Sequence, residues 1–293
     1  MVAMMIHHLS QESTALAPVR RTSVRDLIER QAIVTVLEPI VDTTTYRFHG
    51  HEALGRGALA GLPTGSAALF ELAEEEGLAV QLGELMRERA VRVVGESFAP
   101  RLFLGSHPAE YVNLPRLVAS LARLRERSPD LLPVLEIPQK ANTTLQQLRW
   151  LRDELSYLAV EVCYEGLGPG LSLLGALVEV PPDYVKVDER LIVRAYPSNG
   201  ELLLTGIVDI ARQLGIRVVA QGLVQLDEVV SSRRLGCELC QGPAPLVFPT
   251  AERLLPGLPG VEGGEPTLRV LGSAGAEALN VAARRLGAAV STA

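Results

Sequence analysis

The chain has 293 residues, 47% of them hydrophobic, and a formal net charge of −6. This composition is typical of a globular chain, and its acidic balance argues against a general surface for nucleic-acid polymers, which bind a basic face. Because no run of about 18 uninterrupted apolar residues occurs, no membrane span is predicted. The start of the chain lacks the basic segment and long apolar core of a secretory signal, so the cytoplasm is the expected compartment.

Short apolar runs alternate with amphipathic segments along most of the chain. After a helix at 23–30, strands are predicted at 33–41, around Glu52, and at 101–104, 131–137, 158–163, 184–187, 218–220 and 236–239. Further helices are predicted at 66–79, 80–94, 115–127, 144–155, 171–178, 201–214 and 226–235. Apolar strands that alternate with helices are typical of parallel βα units. Eight such strands predict an α/β fold, a TIM-like (β/α)₈ barrel.

Candidate site residues recur at the ends of the predicted strands. They are Glu52, Gly105, Glu136, Glu165, Lys186 and Gln221. In a (β/α)₈ barrel the carboxyl ends of the strands meet at one mouth, where the chemistry of such proteins gathers. Any single carboxylate there has a plain alternative, because it can be solvated or can cap the next helix. The convergence of the whole set on one mouth favours a site.

Several segments carry a resemblance to a known family. Glu52-Ala53-Leu54 is preceded by a strand-like run at 37–42 and followed by matching segments at 102–108, 135–137, 165–170, 181–188, 219–225 and 241–249. Together they resemble the EAL family, bacterial cyclic di-GMP phosphodiesterases and their inactive relatives, over roughly 22–250. The resemblance divides the chain into an N-terminal extension at 1–21, a barrel domain at 22–250, and a linker with a C-terminal helical extension at 251–293.

The resemblance also implies which positions would hold metal. The family binds two divalent cations through a Glu in the EAL motif, an Asn after strand three, a Glu after strand four, an Asp pair after strand five and a Glu after strand seven, with a Lys from strand six nearby. Glu52, Glu136 and Lys186 match that pattern. The other positions carry Gly105 for the Asn, Glu165 and Gly166 for the Asp pair, and Gln221 for the last Glu. A register slip of one residue would place Tyr164 and Glu165 at the Asp pair, which still leaves one carboxylate.

These departures bear on catalysis. Two hard cations must be neutralised by oxygen anions before they can activate a water molecule. Glycine offers no side-chain ligand, and a neutral amide cannot replace a carboxylate. We therefore expect no bound metal, with Mg²⁺ or Mn²⁺ required only if residual activity exists. No catalytic residue is assigned, and Glu52, Glu136, Glu165 and Lys186 are remnants of the family's site.

The sequence leaves three functions open. The first is a regulatory domain in cyclic di-GMP signalling that has lost hydrolysis and acts mainly through an unidentified protein partner. The second is a metal-independent receptor in which Leu54, Arg56 and Lys186 contact the nucleotide, although Glu38 adds a like charge where the family usually has Gln. The third is a weakly active, metal-dependent phosphodiesterase. Similarity to the family further implies a homodimer formed near the loops after strands five and six.

Overall fold

A computed structural model describes residues 22–94, 101–167, 174–187 and 199–243. The strands are β1 (Ile33–Asp42), β2 (Phe48–Gly57), β3 (Arg101–Gly105), β4 (Leu132–Pro138), β5 (Glu161–Leu167), β6 (Tyr184–Val187), β7 (Arg217–Ala220) and β8 (Leu239–Gln241). The helices are α1 (Val24–Glu29), α2 (Ser66–Glu75), α3 (Ala79–Val94), α4 (Leu114–Arg127), α5 (Leu145–Tyr157), α6 (Leu174–Glu179), α7 (Asn199–Gln213) and α8 (Leu226–Arg234), with a 3₁₀ turn at Pro108–Val112. The predicted 1–21 and 251–293 extensions lie outside the described residues.

The strands close into a barrel in the order β1 to β8, which confirms the predicted fold. Neighbours from β2 to β8 pair in parallel, whereas β1 is antiparallel to both β2 and β8. The reversal follows from the short connection between β1 and β2, because a tight turn can join only antiparallel strands. The Asp42 carboxylate accepts hydrogen bonds from the backbone N–H groups of Thr44 and Thr45 at 2.9 and 2.8 Å and holds that turn.

Strand boundaries differ from the prediction in three places that matter for the site. The last strand was predicted at 236–239, but β8 begins at Leu239 and includes Gln241. Glu52 lies in the middle of β2, because β2 pairs with β1 along its length but with β3 only at His51, Glu52 and Ala53. Glu165 lies within β5, which begins at Glu161 and not at residue 158. The helix before it continues to Tyr157, and Ala159 then turns with a φ of 51°. Glu52 nevertheless lies next to the last residue of β2 that pairs with β3, and Glu165 is the last residue of β5 that pairs with β4.

The helices pack on the outside of the barrel through regular apolar stripes. In α4, Leu114, Leu117, Leu121 and Leu124 are buried at helical spacing and face the strands. Asn113 caps this helix by accepting a hydrogen bond from the backbone N–H of Arg116 at 3.2 Å. Within the described residues, no helix combines the length and the apolar character needed to cross a membrane.

Candidate functional site

The interior of the barrel has an apolar layer beneath a polar one. The apolar layer is a buried cluster of inward-facing residues: Ile40, Phe103, Val134, Cys163, Tyr184, Val219 and Leu239. Because side chains alternate along a strand, the residue two positions away faces inward again. Toward the mouth, this is the residue two positions later in the parallel strands and two positions earlier in the reversed strand β1. Those positions, with Glu52 of β2, form what we call the polar layer: Glu38, Glu52, Gly105, Glu136, Glu165, Lys186, Gln221 and Gln241.

Strand register brings the polar layer together at one end of the barrel. Glu38 is directly opposite Glu52 in the β1–β2 pair. Gly105 is opposite Glu136 in the β3–β4 pair. All the site positions predicted at strand ends therefore lie at the same mouth, although their roles stay predictions.

Lys186 is the central cation of the polar layer. Its side chain is fully buried, and its Nζ lies 2.6 Å from Glu52 Oε2 and 2.5 Å from Glu136 Oε1. The ammonium group also lies 5.6 Å from the centre of the Phe103 ring, below it in the barrel. The one cation of the polar layer thus bridges two carboxyl groups at positions where the family resemblance implies metal ligands.

Gln241 is a member of the site that the sequence analysis did not identify. Its Nε2 donates to Glu38 Oε2 at 2.5 Å and also to Glu52 Oε2. The amide therefore holds two like-charged side chains that face each other across β1 and β2. The segment that begins at Gln241 matched the family's last motif, but only the barrel register shows that its side chain reaches both carboxylates.

Burial and neighbouring charges set the pKa values of this cluster in different directions. Burial alone would lower the pKa of Lys186, but the carboxylates of Glu136 and Glu52 outweigh it and raise that pKa well above its ordinary value. Burial would raise the pKa of Glu52, yet Lys186 brings it below the ordinary value. Burial and the charge of Glu52 raise the pKa of Glu136 well above its usual range. The stable charged pair is therefore Lys186 with Glu52.

The two outlying carboxyl groups are also disposed to take up protons. Burial is the main cause that raises the pKa of Glu38, and the charge of Glu52 adds to it. Burial likewise raises the pKa of Glu165, again with a contribution from Glu52. The polar layer therefore carries less negative charge than its four glutamates would suggest.

Three positions of the mouth lack the ligands that the family resemblance would call for. Gly105 ends β3 and is exposed, and a Cβ built there would meet only Glu136 Oε2, at 4.0 Å. Gly166 has a φ of 76° at an irregularity in the β5–β6 pairing. Gln221 follows β7, and its backbone N–H donates to the Val187 carbonyl at 3.1 Å. None of these three residues supplies a carboxylate.

The alternative alignment at strand five adds no ligand to the mouth. Tyr164 is buried on the outer side of β5, where its hydroxyl donates to the Val180 carbonyl at 2.7 Å. Glu165 faces the mouth and lines the same cavity as Glu52 and Glu136. Under either alignment, strand five contributes one carboxyl group to the mouth, that of Glu165.

Buried polar groups behind the mouth fix the ends of β3 and β4. Arg87 of α3 forms a buried ion pair with Glu110 and donates from Nη1 to the Gly105 carbonyl at 3.2 Å. The Ser106 hydroxyl donates to the Glu136 carbonyl at 2.5 Å. Hydrogen bonds therefore fix the backbone at Gly105, although residue 105 has no side chain.

The side chains present do not fit a pair of divalent cations. Such ions take about six oxygen ligands each. Within the described part of the chain, no three His, Cys, Asp or Glu side chains are arranged to hold a metal ion. Lys186 already contacts Glu52 and Glu136, which are two of the three carboxylates that remain at the family's ligand positions.

Comparison with known proteins identifies the family. The EAL domain model matches residues 21–244, and the chain belongs to this family. It is 28% identical over 234 residues to the bifunctional diguanylate cyclase/cyclic di-GMP phosphodiesterase MucR of Pseudomonas aeruginosa, a match that covers 74% of this chain and 33% of MucR. It is also 28% identical over 236 residues to the uncharacterized protein Rv1357c of Mycobacterium tuberculosis, with 75% and 76% covered. The chain thus spans about a third of the length of MucR.

A solved structure of the same Pseudomonas protein supports the fold assignment. The structure of the PaMucR phosphodiesterase in complex with c-di-GMP superposes with a TM-score of 0.66 at 26% identity and covers 75% of this chain and 92% of that one. The predicted family is therefore confirmed together with the barrel.

Proposed function

We propose that this chain is an EAL domain of cyclic di-GMP signalling that has lost hydrolysis and acts mainly by contacting a protein partner. One observation carries the proposal: Lys186 bridges Glu52 and Glu136 in a mouth where Gly105, Gly166 and Gln221 supply no carboxylate. The link to cyclic di-GMP rests on family membership and on relatives named as its phosphodiesterases.

The chemistry of hydrolysis explains why these departures matter. A two-metal site must clamp both the attacking and the leaving oxygen of the phosphodiester. Without enough anionic ligands the cations are not held, so the metal-bound water that attacks the phosphodiester is not formed. What remains is a closed barrel with a polar mouth, which suits recognition of another molecule better than turnover.

A second candidate is a receptor that binds cyclic di-GMP without metal. Arg56, on the same face of β2 as Glu52, lies close enough for its charge to favour the ionised forms of both Glu38 and Glu52, although burial still raises the pKa of Glu38. A guanidinium group makes strong charge-assisted hydrogen bonds to phosphate. The raised pKa values of Glu136 and Glu165 also reduce repulsion of an anionic ligand.

Calorimetric titration with cyclic di-GMP, with and without Mn²⁺, separates the candidates. The proposal predicts no heat of binding in either titration and no linear dinucleotide after prolonged incubation. Metal-independent binding that Arg56→Ala abolishes and exposed Arg25→Ala retains would favour the receptor. Tight binding that requires Mn²⁺, followed by hydrolysis, would identify a working phosphodiesterase and contradict the proposal.

Three further expectations belong to this proposal. We place the domain boundaries at 1–21, 22–250 and 251–293, and the protein in the cytoplasm. We also expect a homodimer, although the loops after β5 and β6 through which it would form lie outside the described residues. Sedimentation equilibrium measures the oligomeric state directly, and a monomer over the whole concentration range would contradict this expectation.

A further inference from the structure

A second set of charged and polar side chains lies at the end of the barrel opposite the mouth, where the parallel strands begin. Each of β3, β5, β6 and β7 contributes its first residue. Together with a residue of β2 and one that precedes β8, they form what we call the floor network: His49, Arg101, Glu161, Tyr184, Arg217 and Glu238. None of them belongs to the polar layer.

A β-bulge turns His49 toward the interior of the barrel. Gly50 and Phe48 are opposite consecutive residues of β1, so residue 49 has no partner in the β1–β2 ladder. An extra residue of this kind departs from the ordinary alternation of side chains along the strand. Gly50 lets β2 lie close to β3 here, because a Cβ at this position would lie 2.8 Å from the Arg101 carbonyl oxygen. The bulge and the glycine together place the imidazole at the floor.

This imidazole links strands that do not pair with each other. Its Nε2 lies 2.9 Å from the Tyr184 hydroxyl, and its Nδ1 lies 3.0 Å from Nη1 of Arg217. Because β2 and β6 are four strands apart in the closed eight-stranded order, the contact with Tyr184 joins opposite sides of the barrel. Arg217 also forms a salt bridge with Glu238 at 2.9 Å. On the other side, Arg101 forms one with Glu161 at 2.9 Å.

The hydrogen bonds of the floor network require an uncharged His49. A guanidinium group has only donors, so the ring nitrogen that faces Arg217 must be an unprotonated acceptor. Nη1 of Arg217 lies closer to Nδ1 than to Nε2, at 3.0 and 3.3 Å, which makes Nδ1 the acceptor. Nε2 then carries the proton and donates to the Tyr184 hydroxyl, which in turn donates to Glu161 Oε2 at 3.3 Å. An imidazolium has N–H groups at both positions and cannot accept.

We propose that the floor network is a pH-sensitive switch that holds opposite strands together while the His49 ring is neutral and releases them when the ring takes up a proton. Release follows from the geometry. The protonated ring can no longer accept from Arg217, and two positive groups 3.0 Å apart repel each other. The floor network lies at the other end of the barrel from the polar layer, so the inference holds or fails independently of the proposed function.

The charged groups around the ring, taken together, oppose its protonation. They are Asp42 of β1, Arg101 of β3, Glu161 of β5, Arg217 of β7 and Glu238 before β8, with exposed Arg47 nearby in the chain. The carboxylates of Glu161 and Glu238 are already engaged by the two arginines. Burial, Arg217 and Arg101 outweigh the effect of Asp42 and lower the pKa of His49 to about 4.

Stability of the barrel should therefore fall in acid through His49. In the unfolded chain this residue has an ordinary pKa of 6.5, whereas in the folded barrel the pKa is about 4. The contribution of the neutral ring is fully present above pH 6.5 and is lost as the pH falls toward 4. Because one proton separates the two states, the folding equilibrium constant should fall about tenfold for each pH unit in this window.

Nuclear magnetic resonance of the ring nitrogens tests the switch directly. We expect His49 to titrate near pH 4 and, above that pH, to carry its single proton on Nε2. Arg217→Gln removes the neighbouring charge and supplies an amide oxygen that can accept from an imidazolium, so it should raise the pKa of His49 toward 6.5. Arg123→Gln, at an exposed position on α4, should leave that pKa unchanged. Titration of His49 at 6.5 or above in the parent chain, or an unchanged pKa in Arg217→Gln, would overturn the proposal.

Unfolding by urea between pH 7 and pH 4 tests the consequence for stability. His49→Gln keeps an acceptor for Arg217 and a donor for Tyr184 but takes up no proton in this range. Relative to this variant, the folding constant of the parent should fall about tenfold per pH unit below 6.5. All other histidines are common to both proteins, so the difference reports His49 alone. Parallel pH profiles would overturn the proposal, and the ring titration in the parent chain decides the question if His49→Gln does not fold.

Discussion

Replacing Lys186 with methionine removes the buried cation from between Glu52 and Glu136. Methionine keeps most of the side-chain length and can retain the contact with the Phe103 ring. The variant therefore isolates the charge from the packing. Lys140, the only other lysine in the sequence, is exposed and offers a matched control in Lys140→Met.

The cost follows from the geometry of the pair. The ammonium group is fully buried and lies 2.6 and 2.5 Å from two carboxylates that would be left without their cation. Breaking a buried pair by removing one partner costs about 3–5 kcal/mol of unfolding free energy. Glu136 can take up a proton, which places the expected loss near the lower end, about 3 kcal/mol. Lys140→Met should change stability by less than about 0.5 kcal/mol.

Urea unfolding at a series of pH values measures the size of this loss of stability and the direction in which it changes with pH. In the parent chain the lowered pKa of Glu52 contributes stability above its unfolded value of 4.5, which is lost as the pH falls through the lower folded value. Without Lys186, burial raises the pKa of Glu52, so the variant instead gains stability on acidification. The difference between parent and variant should therefore narrow from pH 7 toward pH 4.5. Equal losses for the two lysine variants, or a difference that widens in acid, would refute this account.

Two further changes test other parts of the mouth. Glu38→Gln removes a like charge directly opposite Glu52 and should stabilise the fold at pH 7 by about 0.2–1 kcal/mol. Because the pKa of Glu38 is raised, this gain in the free energy of unfolding should fade as the pH drops toward 4.5. A loss of stability in urea unfolding at pH 7 would contradict this prediction. The triple change Gly105→Asn, Gly166→Asp and Gln221→Glu should create Mn²⁺ binding measurable by calorimetry. The φ of 76° at residue 166 means that the aspartate lowers the free energy of unfolding by about 1–2 kcal/mol. If the triple variant folds but shows no heat of Mn²⁺ binding, these positions do not limit metal binding.

The barrel and the convergence of the site could be predicted from the sequence, because both depend on the hydrophobic pattern within single strands and helices. Apolar strands alternate with amphipathic helices, and polar residues such as Glu136 and Lys186 follow the apolar part of each strand. Strand ends were predicted less well at β2, β5 and β8. The extension of β2 beyond Glu52 depends on its pairing with the reversed strand β1, which periodicity within one segment cannot show.

The contacts inside the mouth could not be predicted, because they depend on register between strands that are distant in sequence. Gln241 contacts Glu38 and Glu52 across 203 and 189 residues of sequence separation. Lys186 and Glu52 are separated by 134 residues. The cavity beside Gly105 is equally hidden, because a glycine in the sequence does not reveal whether its neighbours fill the space.

The central claim is that the mouth no longer holds two divalent cations. The parent chain is titrated with Mn²⁺ alone, and electron paramagnetic resonance measures the concentration of the free ion. This tests the claim without nucleotide or turnover. We predict that all the Mn²⁺ stays free at micromolar concentrations, as it does with Glu52→Gln. Saturable uptake of two ions per chain that Glu52→Gln abolishes would contradict the account.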